Sequence, residues 1–163
     1  MMDKLVPQLK RHEGRVLDSN GLHKAYRDHF GNWTIGYGHN LDTNPVPGLT
    51  KDSRLTEKEA HGLLVADITK TTFDLKCSQD LKISLAHASL FESLSPVRQA
   101  VLINMAFNLG IKGLCSFKKF LACAALGAFT QAAGEMLDSC WSRQVGERSL
   151  ELAAMMARDE WLS

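Results

Sequence analysis

The stretch RHEGRVLDSNGLHKAYRDHFGNWTIGYGHNL, residues 11–41, is where the chain changes character. Ahead of it, residues 3–12 place Leu5, Val6 and Leu9 on one side, the spacing of a short helix. Glu13 follows Leu9 by four residues and continues that stripe, and Gly14 is placed to end the helix. From Arg15 to about Leu41, apolar and aromatic residues mix with Gly21, Gly31, Gly36 and Gly38. The turn chemistry of DHFGN separates LHKAY from WTIGYG, so this part reads as a small antiparallel sheet. One segment therefore carries carboxylates at Glu13 and Asp28 and a hydroxyl at Thr34 among glycine and apolar neighbours.

Beyond it, DTNPVPGLTKDSR is loop by composition. Thr56 with Glu59 forms a capping box, which predicts a long helix to about Leu75. Its stripe is Ala60, Leu63, Leu64, Ile68 and Thr71-Thr72, interrupted by Asp67. Residues 76–94 are weakly patterned and predict an irregular stretch with one helix at most. Ser95-Pro96 then opens a helix that is apolar nearly all round until Gly110. Phe117, Phe120, Leu121, Ala124 and Ala125 follow helical spacing, with Gly127 as the stop. Phe129, Ala132, Ala133, Met136, Leu137 and Cys140 repeat the spacing, and a last helix is expected from about Glu147 to Arg158. The fold class is α+β: a β-rich lobe over 14–55, a connecting helix over 56–75, and a helical lobe over 76–163 with 1–13.

At 163 residues the chain suits one domain or two small lobes, and 45% hydrophobic content supports a core. A net charge of +1 gives no global case for nucleic-acid binding. The N-terminal residues hold no apolar run of signal-peptide length and no later stretch approaches a membrane span, so cytoplasmic synthesis without stable membrane association is expected. The four cysteines, Cys77, Cys115, Cys123 and Cys140, form no CxxC pair; free thiols are expected and a zinc site is not. Cys123 and Cys140 fall at apolar helical positions, where thiols are commonly buried. No cofactor or metal is implied.

Two carboxylates and a hydroxyl suit acid–base work on a bond to oxygen. Glycoside hydrolysis needs one protonated acid and one ionised carboxylate. Glu13 ends an apolar stripe, whereas Asp28 lies in a polar turn beside Arg27 and His29, environments that push two pKa values apart. Taken singly, a Glu at a helix end and an Asp in a turn are equally compatible with plain structural roles.

The order and spacing of Glu13-Gly14, Tyr26-Arg27-Asp28 and Thr34-Ile35-Gly36-Tyr37-Gly38-His39 resemble the signature of the tailed-phage lysozymes, endolysins that cut peptidoglycan. LTEKEAHGLLVADI resembles that family's inter-lobe helix, and LSPVRQAVLINMAFNLG its buried central helix. FTQAAGEMLDSCWSRQVGERS is similar to its closing segment, so the likeness spans essentially the whole chain and is nearest to the T-even phage type. It implies a two-lobed lysozyme fold, with Glu13 as general acid, Asp28 acting on a water or on the developing cation, and Thr34 placing that water. It implies inversion at the anomeric carbon.

The same resemblance pairs His39 with Asp67 as a structural salt bridge and sets Arg148 across the cleft from the acid. It places Phe107, Asn108 and Asn40 at the sugar site, although Phe107 also suits a core and Asn108 a helix cap. Trp141 reads as packing rather than as a sugar platform. Two departures stand out: an extra stretch at about 18–22, expected to enlarge the first hairpin, and the near-neutral charge. The implied activity is that of a muramidase on bacterial peptidoglycan, in a monomer released from the host cytoplasm by a partner such as a holin. A lytic transglycosylase, a secreted cell-wall toxin and a non-catalytic peptidoglycan-binding module are the competing readings.

Overall fold

A computed structural model describes residues 1–28, 31–82 and 89–162. His29 and the middle of the weakly patterned 76–94 segment lie outside the described residues. The architecture is α+β, as the sequence predicts. Residues 2–69 form one compact unit, and residues 70–163 with Met1 form the other. Helix α1 (Met2–Glu13) thus falls with the β-rich part, where the sequence reading assigns residues 1–13 to the helical lobe.

In the first unit, α1 buries Leu5 and Leu9 completely and stops at Gly14, whose φ is 64° and whose N–H reaches the Lys10 carbonyl at 3.2 Å. Strands β1 (His23–Lys24) and β5 (Arg54–Leu55) pair antiparallel. Strands β2 (Tyr26–Arg27), β3 (Trp33–Ile35) and β4 (His39–Asn40) form a three-stranded antiparallel sheet in that order. Tyr26 faces Thr34 and Thr34 faces Asn40, so these three side chains share one side of the sheet. Arg27, Trp33, Ile35 and His39 share the other.

The extra stretch forms the turn between Leu17 and His23, which pair in an isolated antiparallel bridge ahead of the Tyr26–Trp33 hairpin. The turn closes on itself: Asp18 N–H donates to the Leu22 carbonyl at 2.9 Å, and the Asp18 carboxylate accepts from the backbone of Asn20 and Leu22. Those backbone N–H groups, the Leu22 one foremost, hold the Asp18 carboxyl below its ordinary range.

Helix α2 (Glu57–Cys77) begins at the expected capping box. Thr56 N–H donates to Glu59 at 2.7 Å, and Glu59 N–H returns to Thr56 Oγ1 at 3.3 Å. Ala60, Leu64, Ile68 and Leu75 are buried along it.

The second unit is helical: α3 (Leu90–Ser93), α4 (Pro96–Cys115), α5 (Lys118–Ala125), α6 (Phe129–Leu137), α7 (Cys140–Val145) and α8 (Glu147–Arg158). Helices α4, α6 and α7 pack on α8, and α5 packs on α6. Ser95 caps α4, and Ala100–Ala106 are buried without a break. Gly110 interrupts α4 at φ 71° and ψ 165°, as its position suggests, but helical geometry resumes to Cys115. Cys140 does not extend α6. Ser139 Oγ accepts from Ser142 N–H at 3.1 Å and starts α7 there, because a hydroxyl cap competes with continuation of the previous helix. All four thiols are free; Cys115 is the buried one, while Cys140 is exposed, contrary to its apolar-helix reading.

Candidate active site

Asp28 and Thr34 are brought together by the β2–β3 hairpin. Asp28 follows Tyr26 by two residues, so the strand period returns its side chain to the face that carries Tyr26 and Thr34. The hairpin ladder continues past β2, with Asp28 N–H donating to the Asn32 carbonyl at 3.0 Å. Asn32 then holds the carboxylate: its N–H reaches Oδ1 at 2.8 Å and its Nδ2 reaches Oδ2 at 3.2 Å. Both oxygens act as acceptors, the arrangement an ionised carboxylate takes. Thr34 is 4% exposed, and its hydroxyl is 3.5 Å from the Asn32 carbonyl, well beyond an ordinary O–H···O bond. A hydroxyl so weakly engaged is available to a stronger acceptor or donor.

Glu13 comes to this region from the end of α1. The β3–β4 turn approaches it through Gly38, at φ 84°. A Cβ at residue 38 would lie 2.9 Å from Glu13 Oε2 and 3.2 Å from its Cγ. Gly38 is therefore required twice, by its backbone conformation and by the carboxyl against it. Tyr26 ties the two acids together electrostatically. Burial raises its phenol pKa, and the charges of Glu13 and Asp28 add to the rise. We expect Gly38→Ala to lower turnover by roughly tenfold or more, since a displacement of about 1 Å at a reacting group costs up to ~10²-fold. It should also destabilise by about 1–2 kcal/mol from the left-handed backbone. Steady-state kinetics and thermal unfolding on one preparation check both.

His39 is buried and bonded to Asp67, with Nδ1 at 2.8 Å from Oδ2. Asp67 also accepts from Asn44 Nδ2 at 3.2 Å. The carboxylate that breaks the apolar stripe of α2 therefore serves a buried imidazole. Asn40 has its Oδ1 committed to the backbone N–H groups of Asp42 at 3.0 Å and Thr43 at 2.9 Å, which makes it a turn former before anything else.

The other sequence candidates lie in the second unit. Arg148 is 8% exposed and bonds Asn104 twice, through Nε to Oδ1 at 2.8 Å and through Nη2 to the carbonyl at 3.0 Å. Asn104 is fully buried and carried no signal in the sequence beyond being a polar residue inside an apolar helix. Asn108 accepts the Trp141 indole N–H at 2.9 Å, and Trp141 packs edge-on against Phe117 with centroids 6.0 Å apart. Trp141 is thus a packing residue, as read. Phe107 is half-buried. Among the described residues, no group of three or more His, Cys, Asp or Glu side chains gathers as a metal site would.

The sequence reading missed the role of Glu57. Its carboxylate accepts from Lys10 Nζ at 2.6 Å, Tyr37 Oη at 2.8 Å and Arg15 Nη1 at 3.3 Å, and lies 2.9 Å from His23 Nε2. Lys10, then His23 and Tyr37, hold its pKa down at about 2 against the cost of burial. The sign follows: a depressed carboxyl contributes stability that is complete above its ordinary value near 4.5 and fades as pH falls toward 2.

The α+β fold, with its small antiparallel sheets and helical second unit, is consistent with a glycosidase of the lysozyme type. The sequence pattern described as phage lysozyme matches residues 18–160, and the chain belongs to that family. It is similar to "Probable T4-type lysozyme 1" of Dictyostelium discoideum, at 25% identity over 91% of each chain. A second relative from that organism, "Probable T4-type lysozyme 2", is 26% identical over the same shares. The "Pre-baseplate central spike protein Gp5" of Enterobacteria phage T4 is 26% identical over 89% of this chain, which corresponds to 26% of that protein. The family match begins at residue 18, so the place of Glu13 rests on the geometry around Gly38 and on the sequence motif.

Proposed function

We propose that the chain hydrolyses the β-1,4 bond between N-acetylmuramic acid and N-acetylglucosamine in bacterial peptidoglycan. The observation that carries this reading is the shared face of Asp28, Thr34 and Tyr26, with Tyr26 under the charges of both Asp28 and Glu13. In this scheme the Glu13 carboxyl protonates the departing glycosidic oxygen. Asp28, held as an acceptor by Asn32, takes the proton of a water as it attacks the anomeric carbon. Thr34 Oγ1 holds that water. Attack by water opposite the leaving group inverts the anomeric centre. The chain is proposed to act as a monomer and, as an endolysin, to reach the wall through a separate membrane-permeabilising partner such as a holin.

Mass spectrometry of digested muropeptides tests the reaction: hydrolysis leaves reducing muramic acid ends, whereas 1,6-anhydro ends would mean a lytic transglycosylase. NMR of the fresh reducing end, before mutarotation, should show the α-anomer first. A first-formed β-anomer would mean retention and would make Asp28 the nucleophile. Delivery is tested by expression in cells with and without permeabilisation, with lysis expected only after permeabilisation.

A further inference from the structure

Glu57 lies outside the acid, base and water scheme, yet two of its partners flank Glu13 in sequence and a third precedes the glycine beside it. Lys10 precedes Glu13 by three residues on α1, and Arg15 follows it by two. Both bind the Glu57 carboxylate, at 2.6 and 3.3 Å. Tyr37 precedes Gly38, where a Cβ would lie 2.9 Å from Glu13 Oε2; the Tyr37 hydroxyl donates to Glu57 at 2.8 Å and accepts from Arg15 Nη1 at 3.2 Å. Lys10 Nζ also stands 4.7 Å over the Tyr37 ring. His23, 1% exposed, packs edge-on to Tyr37 with centroids 5.0 Å apart and completes the set through Nε2. One carboxylate at the start of α2 therefore gathers the chain on both sides of Glu13 and the turn that touches it.

We propose that Glu57 is a positioning residue for the general acid: by clamping Lys10, Arg15 and Tyr37 it fixes where the Glu13 carboxyl points. The inference rests on Glu13 being the acid. It does not require Glu57 to meet substrate. Helix α1 ends at Glu13, and a helix end frays unless something holds it. The carboxyl extends from that end, so a small rotation of the last turn carries it away from the bond it must protonate.

The test uses the full chain with Glu57→Ala, Glu57→Gln, Tyr37→Phe and the Glu57→Ala/Tyr37→Phe double variant, each assayed on peptidoglycan well below its unfolding temperature. Glu57→Ala should lower kcat by roughly tenfold with KM within about twofold, because misplacement of a reacting group acts on the chemical step. Glu57→Gln keeps a hydrogen-bond partner for Tyr37 and should recover part of that loss. The double variant should be no slower than the worse single one, since both substitutions open the same clamp. Unchanged kcat in Glu57→Ala, or a loss shared equally by kcat and 1/KM with no recovery in Glu57→Gln, would overturn the proposal. Glu13→Gln separates the two readings. If it still turns over, the acid assignment fails; if it is inactive while Glu57→Ala behaves as wild type, only the clamp fails.

Discussion

Glu13→Gln is expected to cut peptidoglycan hydrolysis by at least ~10²-fold, the usual cost of losing a general acid. Thermal unfolding should move by no more than about 2 °C, in line with a surface-scale change of ~0.5 kcal/mol. The argument is steric as much as chemical. A Cβ at residue 38 would lie 2.9 Å from Glu13 Oε2 and 3.2 Å from its Cγ, so the side chain fills the space beside Gly38. Glutamine has the same heavy-atom outline and leaves that contact intact. It has no proton to deliver to a departing oxygen. A large loss of rate with an unchanged fold therefore isolates the proton transfer. Glu13→Ala would be less informative, because removal of the side chain also empties the space against Gly38. Near-normal turnover by the glutamine variant would remove Glu13 from the mechanism and leave Asp28 as the remaining acid of the pair.

The relation between sequence and structure is uneven, for physical reasons. Local rules located what they govern. The Thr56–Glu59 box starts α2, the Ser95-Pro96 pair starts α4, and Gly14 ends α1 beside Glu13. Each is a contact between near neighbours, so the chain carries it openly. The candidate site was read from a resemblance, not from spacing alone; the hairpin sets Tyr26 against Thr34, with Asp28 one strand period beyond. Glu57 was not legible. It reads as one more acidic residue in the first turn of a helix, which the helix dipole alone would justify. Its partners are as far as 47 residues away, and no periodicity announces them. Asn104 escaped for the same reason, since its partner Arg148 is 44 residues distant. Asn40 and Asp18 show a third case. Their side chains satisfy nearby backbone, a bland use that a search for function passes over.

Asp67→Ala is expected to be the most damaging change to stability outside the apolar core, at about 3 kcal/mol, because removing one partner of a buried pair strands the other. For a chain of 163 residues that corresponds to a fall in Tm of roughly 6–12 °C. His39 is 2% exposed and has its Nδ1 within 3.0 Å of both Asp67 oxygens, while the Asp67 side chain is 12% exposed. Alanine would leave the imidazole buried without its acceptor and would release Asn44 as well. Asp67→Asn, which keeps an acceptor oxygen and the volume, should lose less than half as much. The measurement that gives the pair its meaning is activity at a temperature well below the lowered Tm. A histidine next to Gly38 has the chemistry of a general base, and a carboxylate on its Nδ1 is how such a base is oriented. If the pair is structural, folded Asp67→Ala keeps turnover within about threefold of wild type, far from the ~10²-fold or greater loss that removal of an acid–base group brings. The burial of His39 and its place on the sheet face opposite Thr34 favour the structural outcome. A collapse of kcat in folded protein would instead put His39 in the reaction and return Asp28 to the role of charge stabiliser alone.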